Sequence, residues 1–247
     1  MPDVLGYRGK WGLLMPSTNT IVEPDYYAMA PHGITLHGSR IYIEDSRLGS
    51  NDQFVHLLEQ VRASIDQAVV EVMTAEPDYL VMGMSAETFW GGKEGSERFT
   101  RRMQALSGLN VSTGADACKL ALQTFGVRRI AVLTPYQPVA DEQVRTFFAE
   151  NGYDVMRHHG LKCPTAVSIA KVEPATLRQV IQDLNGPDVE AIVQVGTNLS
   201  MVRLADEAER ELGKPVIAIN AATMWHALRT NGISDQLQGF GSLLREH

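Results

Sequence analysis

Short apolar runs alternate with helix-period segments along the whole chain, and this alternation limits the possible folds more than any other feature. Mostly apolar runs of four or five residues occur at Trp11–Met15, Tyr79–Met82, Ile130–Leu133, Ala191–Val195 and Val216–Ile219. Between them lie segments with the apolar spacing of amphipathic helices, at Phe54–Ala75, Ser96–Leu106, Ala115–Phe125, Val139–Glu150, Ala175–Leu184, Val202–Leu212 and Ala221–Thr230. Strands that alternate with helices predict an α/β fold with mainly parallel sheets covered by helices.

The two halves of the chain repeat one pattern. Early in each half a strand runs into a polar turn, at Pro16–Thr20 and at Thr134–Pro138. Later in each half a strand that follows a Pro-Asp pair ends in glycine and small polar residues, at Gly83–Glu87 and Gly196–Ser200. Open α/β sheets place ligands beyond the carboxyl ends of their strands. We therefore predict two pseudo-symmetric lobes, residues 1–115 with 220–247 and residues 116–219, that face one cleft.

Composition narrows the possible partners and the cellular location. The 247 residues carry a net charge of −7, and their 22 Lys and Arg are scattered, so we expect no nucleic-acid partner. A secretion signal and an apolar stretch of the roughly 18 residues that span a bilayer are both absent from the sequence, which predicts a cytoplasmic protein without a membrane partner. In that compartment the two cysteines, Cys118 and Cys163, are expected to remain thiols.

Motifs for metals and nucleotides are not found. The seven histidines show no metal-ligand spacing, and neither a phosphate loop nor a Gly-x-Gly-x-x-Gly turn follows a strand. The segment around Ser85 lacks the second glycine of a nucleophile elbow. We therefore expect no metal, no cofactor and no serine hydrolase of that type.

The polar loops offer donors for a small anion. Loops 16–19 and 196–198 are rich in hydroxyl and amide groups, which bind carboxylates at the beginning of helices. The alternative is that these side chains only cap helices. Glu87 is the carboxylate in a strand-end loop, where burial beside Phe89 and Trp90 would suit a general acid or base. Its alternative is a first-turn glutamate favoured by the helix dipole.

The order of these loops resembles a known superfamily. Pro-Ser-Thr-Asn-Thr at 16–20, Met82–Ser85, Thr134–Tyr136 and Gly196–Leu199 are similar to the aspartate/glutamate racemase superfamily, in particular its maleate cis-trans isomerase and arylmalonate decarboxylase branch. The resemblance covers nearly the whole chain. It implies a cofactor-independent isomerase or decarboxylase that acts on a small carboxylate through an enediolate, and it implies a possible homo-oligomer.

The resemblance also implies site residues. Substrate binding falls to side chains and backbone amides of the four loops: Ser17, Asn19, Gly83, Met84, Ser85, Tyr136, Thr197 and Asn198. A nest of such donors would stabilise an enediolate. The apolar residues Met84, Phe89, Trp90 and Met201 suggest a substrate with an apolar portion, or they are ordinary cleft walls.

Two cysteines of the superfamily are missing from their places. They would stand on or beside Gly83 and Val195–Gly196, and neither position is a cysteine. Three residues are candidates to replace them: Cys163, whose thiolate Lys162 would favour, Glu87 as acid or base, and Tyr136 as proton donor. Cys118 is expected in the core. Without the cysteines, a hydrolase or another lyase that uses the same cleft, or an intracellular sensor of small acids, remains an alternative.

Overall fold

The protein consists of two parallel four-stranded sheets that share one strand order. A computed structural model describes residues 3–247. In the first sheet the order is β2-β1-β3-β4, with bounds Gly9–Pro16 (β1), Ile34–Ile41 (β2), Tyr79–Met82 (β3) and Val111–Ser112 (β4). In the second the order is β6-β5-β7-β8, with bounds Arg129–Thr134 (β5), Asp154–Gly160 (β6), Ala191–Gln194 (β7) and Val216–Ala218 (β8). The repeated order confirms the predicted two-lobed α/β fold.

Helices connect and cover these strands. The first lobe and its surroundings contain Val22–Met29 (α1), Asn51–Met73 (α2), Ala86–Phe89 (α3), Gly92–Ser107 (α4) and Gly114–Phe125 (α5). The remainder contains Pro138–Glu150 (α6), Pro174–Leu184 (α7), Val202–Leu212 (α8), Ile219–Thr230 (α9) and Ser242–Glu246 (α10), with a 3-10 turn at Ser168–Lys171. Within residues 3–247, no helix is both long and apolar enough to cross a membrane.

The apolar runs of the sequence do not include the edge strands β2 and β6, although the helix stop at Asn151-Gly152 predicts a strand where β6 lies. A central strand such as β3 or β7 is buried at every residue because helices cover both of its faces. Along β2, by contrast, His37 is half-buried and Arg40 is exposed. All residues of β6 are exposed or half-buried. Edge strands therefore carry polar residues and lack the continuous apolar run that predicts a buried strand.

The two lobes pack through shared apolar contacts. Phe89 of α3 contacts Phe147 of α6 edge to face, with ring centres 5.0 Å apart. Gly114, the first residue of α5, lies so close to Ile219 of α9 that a Cβ there would be 2.5 Å from the Ile219 Cδ1 atom. The first sheet lies within residues 9–112 and the second within 129–218. The finer lobe boundaries at 115 and 219 stay a prediction.

Candidate active site

A cavity opens where the four polar loops meet. It has a volume of about 540 Å³ including its mouth. The loops follow β1, β3, β5 and β7, the two central strands of each sheet, and they contribute Pro16, Thr18, Asn19, Met84, Ser85, Ala86, Pro135, Tyr136, Gly196, Thr197 and Asn198 to its lining. The structure thus brings together the four loops that sequence analysis singled out.

A pair of hydroxyl groups spans the two lobes at this cavity. Ser85 Oγ and Tyr136 Oη are 2.6 Å apart, and both side chains are buried. Ser85 Oγ also accepts a hydrogen bond from the Thr197 N–H at 3.3 Å. Each hydroxyl has one proton, so when one donates to the other, the second proton remains free for a ligand. The pair can therefore donate to a bound anion and can move a proton.

Burial keeps the Tyr136 phenol neutral above its ordinary titration range. The Tyr136 ring contacts the ring of Phe54 edge to face at 5.2 Å between centres. Removal from water raises the pKa of the Tyr136 phenol well above its usual value, whereas the hydrogen bond with Ser85 lowers it by less. The phenol is therefore protonated at neutral pH and has a proton to donate, to Ser85 or to a ligand.

Asn19 caps a helix and keeps one amide proton free, and its substrate-binding role stays a prediction. Its Oδ1 accepts from the N–H groups of Ile21 and Val22, at 3.0 and 2.9 Å, and so caps the beginning of α1. Its Nδ2 donates to Thr197 Oγ1 at 3.2 Å across the lobes. One amide proton of Asn19, which lines the cavity, remains for a ligand.

The side chains of Asn198 and Ser17 form hydrogen bonds with the backbone of other segments. Asn198 Oδ1 accepts from the Thr20 N–H at 3.0 Å, and its Nδ2 donates to the backbone oxygen of Ala166 at 2.9 Å. Ser17 Oγ accepts from the Ile43 N–H at 3.0 Å, and the cavity is lined by the neighbouring Thr18 instead. Thr18 is a site residue that sequence analysis missed, although it lies in the motif that was singled out.

Backbone amides complete the donor set. The N–H groups of Thr18, Met84, Ser85 and Asn198 have no hydrogen-bond acceptor among residues 3–247. The N–H of Gly83, in contrast, donates to the Leu14 oxygen at 2.6 Å and is not free. Free amides beside a free hydroxyl proton form a neutral site for carboxylate oxygens.

The opposite wall of the cavity is apolar. It is built by the first turns of α2 and by the segments around residues 43–48 and 166–169, with Ile43, Leu48, Phe54, Leu57, Leu58, Val61, Ala166 and Ile169. Of the described residues that line the cavity, none is Asp, Glu, Lys, Arg or His. The α2 members have the 54, 57, 58, 61 spacing of an ordinary core-facing helix, so the sequence contained the pattern without showing that it faces a cavity.

Cys163 lies beside the cavity without lining it. Its N–H donates to the Pro135 oxygen at 3.0 Å, and its side chain is buried. Burial raises the pKa of the Cys163 thiol, which is the reverse of the shift expected from a nearby Lys162. This direction disfavours a thiolate, and the catalytic role expected for Cys163 stays a prediction. Cys118 is fully buried in the core, as expected.

Glu87 points away from the cavity into a separate groove between α2 and α4. Its Oε1 accepts from Arg62 Nε at 2.8 Å, and the groove also contains Trp90. Of the apolar residues proposed for the cleft, Met84 lines the cavity, whereas Phe89 and Met201 are buried elsewhere in the core. The catalytic role expected for Glu87 stays a prediction, and its position does not favour it.

The comparisons with known proteins agree with this architecture. A family model described as arylmalonate decarboxylase matches residues 11–244. The chain belongs to the arylmalonate decarboxylase family. Among its relatives, the maleate isomerase of Pseudomonas putida is 26% identical over 240 residues, which cover 94% of this chain and 96% of the relative. The arylmalonate decarboxylase of Bordetella bronchiseptica is 29% identical over 169 residues, which cover 67% of this chain and 70% of the relative.

Solved structures show the same fold. The maleate cis-trans isomerase of Nocardia farcinica bound to TRIS superposes with a TM-score of 0.87 at 21% identity, covering 96% of this chain and 98% of that one. Another structure of the Nocardia farcinica enzyme contains a covalently bound succinylcysteine intermediate. The resemblance of this member of the arylmalonate decarboxylase family to maleate isomerases, first drawn from its loops, is confirmed.

The glycines at the expected cysteine positions leave little room for a side chain. A Cβ on Gly83 would lie 2.7 Å from Val22 Cγ1 and 3.1 Å from the Leu14 oxygen. Gly196 has a φ of +114°, and a Cβ there would lie 2.4 Å from the Pro135 Cδ atom. Within the described part of the chain, the residues that line the cavity include no cysteine.

Proposed function

We propose that this protein is a cofactor-independent decarboxylase that acts on a malonate-type acid with an apolar substituent, through an enediolate. The observation that carries the proposal is the division of the cavity. Neutral donors lie at one end of it and an apolar wall at the other, and the described lining residues carry no charge. A carboxylate fits the donor end, and an apolar substituent fits the wall.

Decarboxylation suits this cavity better than isomerisation does. The Nocardia farcinica isomerase contains a succinylcysteine intermediate, and an adduct of that kind needs a thiol. The residues that line this cavity, all between 16 and 198 in the described chain, include no cysteine and so no thiol. Loss of CO2 needs no nucleophile, because the bond between the α-carbon and the departing carboxylate breaks by itself and leaves its electron pair on the enediolate. An apolar environment disfavours the charged carboxylate relative to neutral CO2.

The donors then determine how the reaction proceeds. The free amides of Met84, Ser85 and Asn198 stabilise the two enediolate oxygens, where the charge accumulates. The Ser85–Tyr136 pair donates one proton to the α-carbon and recovers it from solvent. In sum, a malonate dianion and one proton become a carboxylate monoanion and CO2. Because the pKa of Tyr136 is raised, the phenol is protonated when the enediolate forms.

Proton NMR in heavy water tests the proposal without added metal or cofactor. We expect 2-substituted malonates to release CO2 and to incorporate deuterium at the α-carbon, with aryl or alkyl substituents preferred over malonate itself. Tyr136→Phe and Ser85→Ala should each lower kcat by about 10²–10³-fold, the range for losing one donor to a developing oxyanion.

Matched controls separate the site from general damage. Tyr153→Phe removes a tyrosine hydroxyl that bonds the Lys119 oxygen away from the cavity, and Cys163→Ser changes the neighbouring thiol; both should retain activity. Full activity of Ser85→Ala would contradict the assignment of the hydroxyl pair. A thermal shift from a malonate without turnover would contradict the enzyme and support an intracellular sensor.

A further inference from the structure

A buried amide links the loop after β7 to helix α1 of the other lobe. Asn220, the second residue of α9, is 2% exposed. Its Nδ2 donates to the backbone oxygen of Thr197 at 3.0 Å and to Asp25 Oδ2 at 2.8 Å. These two bonds use both protons of the amide. Asn220 thus holds Thr197 and is itself oriented by Asp25.

Thr197 connects this amide to the hydroxyl pair. Its N–H donates to Ser85 Oγ at 3.3 Å, and its Oγ1 donates to the backbone oxygen of Gly83 at 3.0 Å. A rotation of the Thr197 residue would change both bonds. A chain of hydrogen bonds, joined through the backbone of Thr197, therefore connects the carboxylate of Asp25 with the Ser85 hydroxyl.

We propose that Asp25 and Asn220 are positioning residues: ionised Asp25 orients Asn220, and Asn220 fixes Thr197 against Ser85. Neither residue lines the cavity, so both act through Thr197. The kinetic part of this inference rests on the proposed decarboxylation, whereas the hydrogen-bond chain itself does not.

The surroundings of Asp25 raise the pKa of its carboxyl group toward neutral pH. Burial raises the pKa of Asp25 to about 6, although the hydrogen bond from Asn220 and the positive charge of Arg203 on α8 lower it. On α1 itself, the pKa of the Tyr26 phenol is raised by burial, so this group stays neutral. The β2 residue Arg40 pairs with another carboxylate of α1. Arg203 is thus the charged group that acts on Asp25 from the packed elements.

Protonation of Asp25 should weaken the chain of hydrogen bonds that leads to Ser85. A charged acceptor forms a hydrogen bond about twice as strong as a neutral one. As the pH falls through about 6, Asp25 loses its charge and Asn220 is held less firmly. We therefore expect an acidic limb in the pH profile of kcat.

Asp25→Asn tests the inference because it preserves shape and removes the charge. At pH 8 we expect kcat to fall roughly 3- to 10-fold, the range of one net hydrogen-bond contribution, with KM much less affected. The wild-type acidic limb should disappear in this variant. Asp154→Asn is the matched control, since Asp154 is an exposed residue at the start of β6 that pairs with Arg128. This variant should keep both the wild-type kcat and the acidic limb of its pH profile.

Stability separates positioning from a structural role. Because burial disfavours the charged form of Asp25, Asp25→Asn should be at least as stable to urea as the wild type above pH 6. A lower kcat in an equally stable protein then reflects positioning. Asn220→Ala should lower kcat similarly, and the double variant should show little further loss, because both residues act on the same peptide.

Hydrogen exchange adds a readout that needs no substrate. The Thr197 amide should exchange faster in Asp25→Asn than in the wild type. In the wild type, its exchange below pH 6 should be faster than the intrinsic pH dependence of exchange predicts. Asp154→Asn should exchange like the wild type. Faster exchange without turnover of any malonate would support positioning and overturn the proposed function. Turnover with unchanged kcat in Asp25→Asn would overturn positioning, whether or not exchange changes.

Discussion

Gly196→Ala should destabilise the protein far more than an alanine at another glycine with positive φ. Gly196 has a φ of +114°, and its added Cβ would lie 2.4 and 2.6 Å from the Pro135 Cδ and Cγ atoms. Gly152, with a φ of +86°, would place its Cβ in open space, with no heavy atom within 4 Å. Both substitutions therefore place alanine at positive φ, and only Gly196→Ala adds the overlap.

The magnitudes follow from these two contributions. A non-glycine residue with positive φ costs about 1–2 kcal/mol, and the lower entropy of the unfolded alanine chain offsets about 0.4–1 kcal/mol of that. Overlap with the proline ring adds about 1–3 kcal/mol at Gly196 alone. For a chain of this size the overlap corresponds to a Tm lower by roughly 2–12 °C.

Urea unfolding followed by tryptophan fluorescence measures the difference between Gly196→Ala and Gly152→Ala. Pro135 precedes Tyr136, so relief of the overlap should also displace the phenol from Ser85 and lower kcat in the Gly196 variant alone. Equal unfolding midpoints for the two variants would refute the reasoning, because both place alanine at positive φ and only Gly196→Ala adds the overlap. The same overlap would then no longer explain why a cysteine is disfavoured at this position.

Three further outcomes are expected. Phe54→Ala should raise KM for apolar malonates more than for malonate itself, because it removes part of the apolar wall; steady-state kinetics on both substrates check this. The pH profile of kcat should show no alkaline decline up to about pH 10, since the raised pKa of Tyr136 keeps the phenol protonated above its usual titration range. Glu87→Gln should retain kcat, because the side chain bonds Arg62 outside the cavity; a loss of kcat at unchanged stability would instead restore Glu87 as a catalytic candidate.

The sequence predicted elements best where burial is complete on both faces. β3 was predicted at Tyr79–Met82 and lies there, because a strand covered by helices on both sides has no polar positions. The edge strand β6 carries Arg157, His158 and His159 and shows no such run. The helix stop at Asn151-Gly152 predicts a strand there, but its pairing with the neighbouring β5 follows from no local pattern of β6.

For the site, the sequence predicted which loops meet but not where each side chain points. Ser17 and Thr18 are adjacent hydroxyl residues, and the turn after β1 directs Ser17 to the Ile43 N–H and Thr18 to the cavity. Glu87 follows the same loop as Ser85, yet α3 carries it toward Arg62. These directions depend on turn geometry and on partners distant in sequence, which the pattern of residue types does not contain.

The absence of charge in the described cavity lining bears on which reaction is favoured. In the proposed complex with a malonate dianion, one carboxylate occupies the donor end and the other lies toward the apolar wall, where the described lining offers no cation. When the bond to that second carboxylate breaks, neutral CO2 remains at the apolar end of the cavity. The negative charge gathers beside the amides and hydroxyls of the donor end. A cis-trans isomerisation keeps both carboxylates, so the carboxylate toward the apolar wall stays charged throughout the reaction. In the proposed decarboxylation, the cavity would therefore stabilise the transition state relative to the ground state, which is the condition for catalysis.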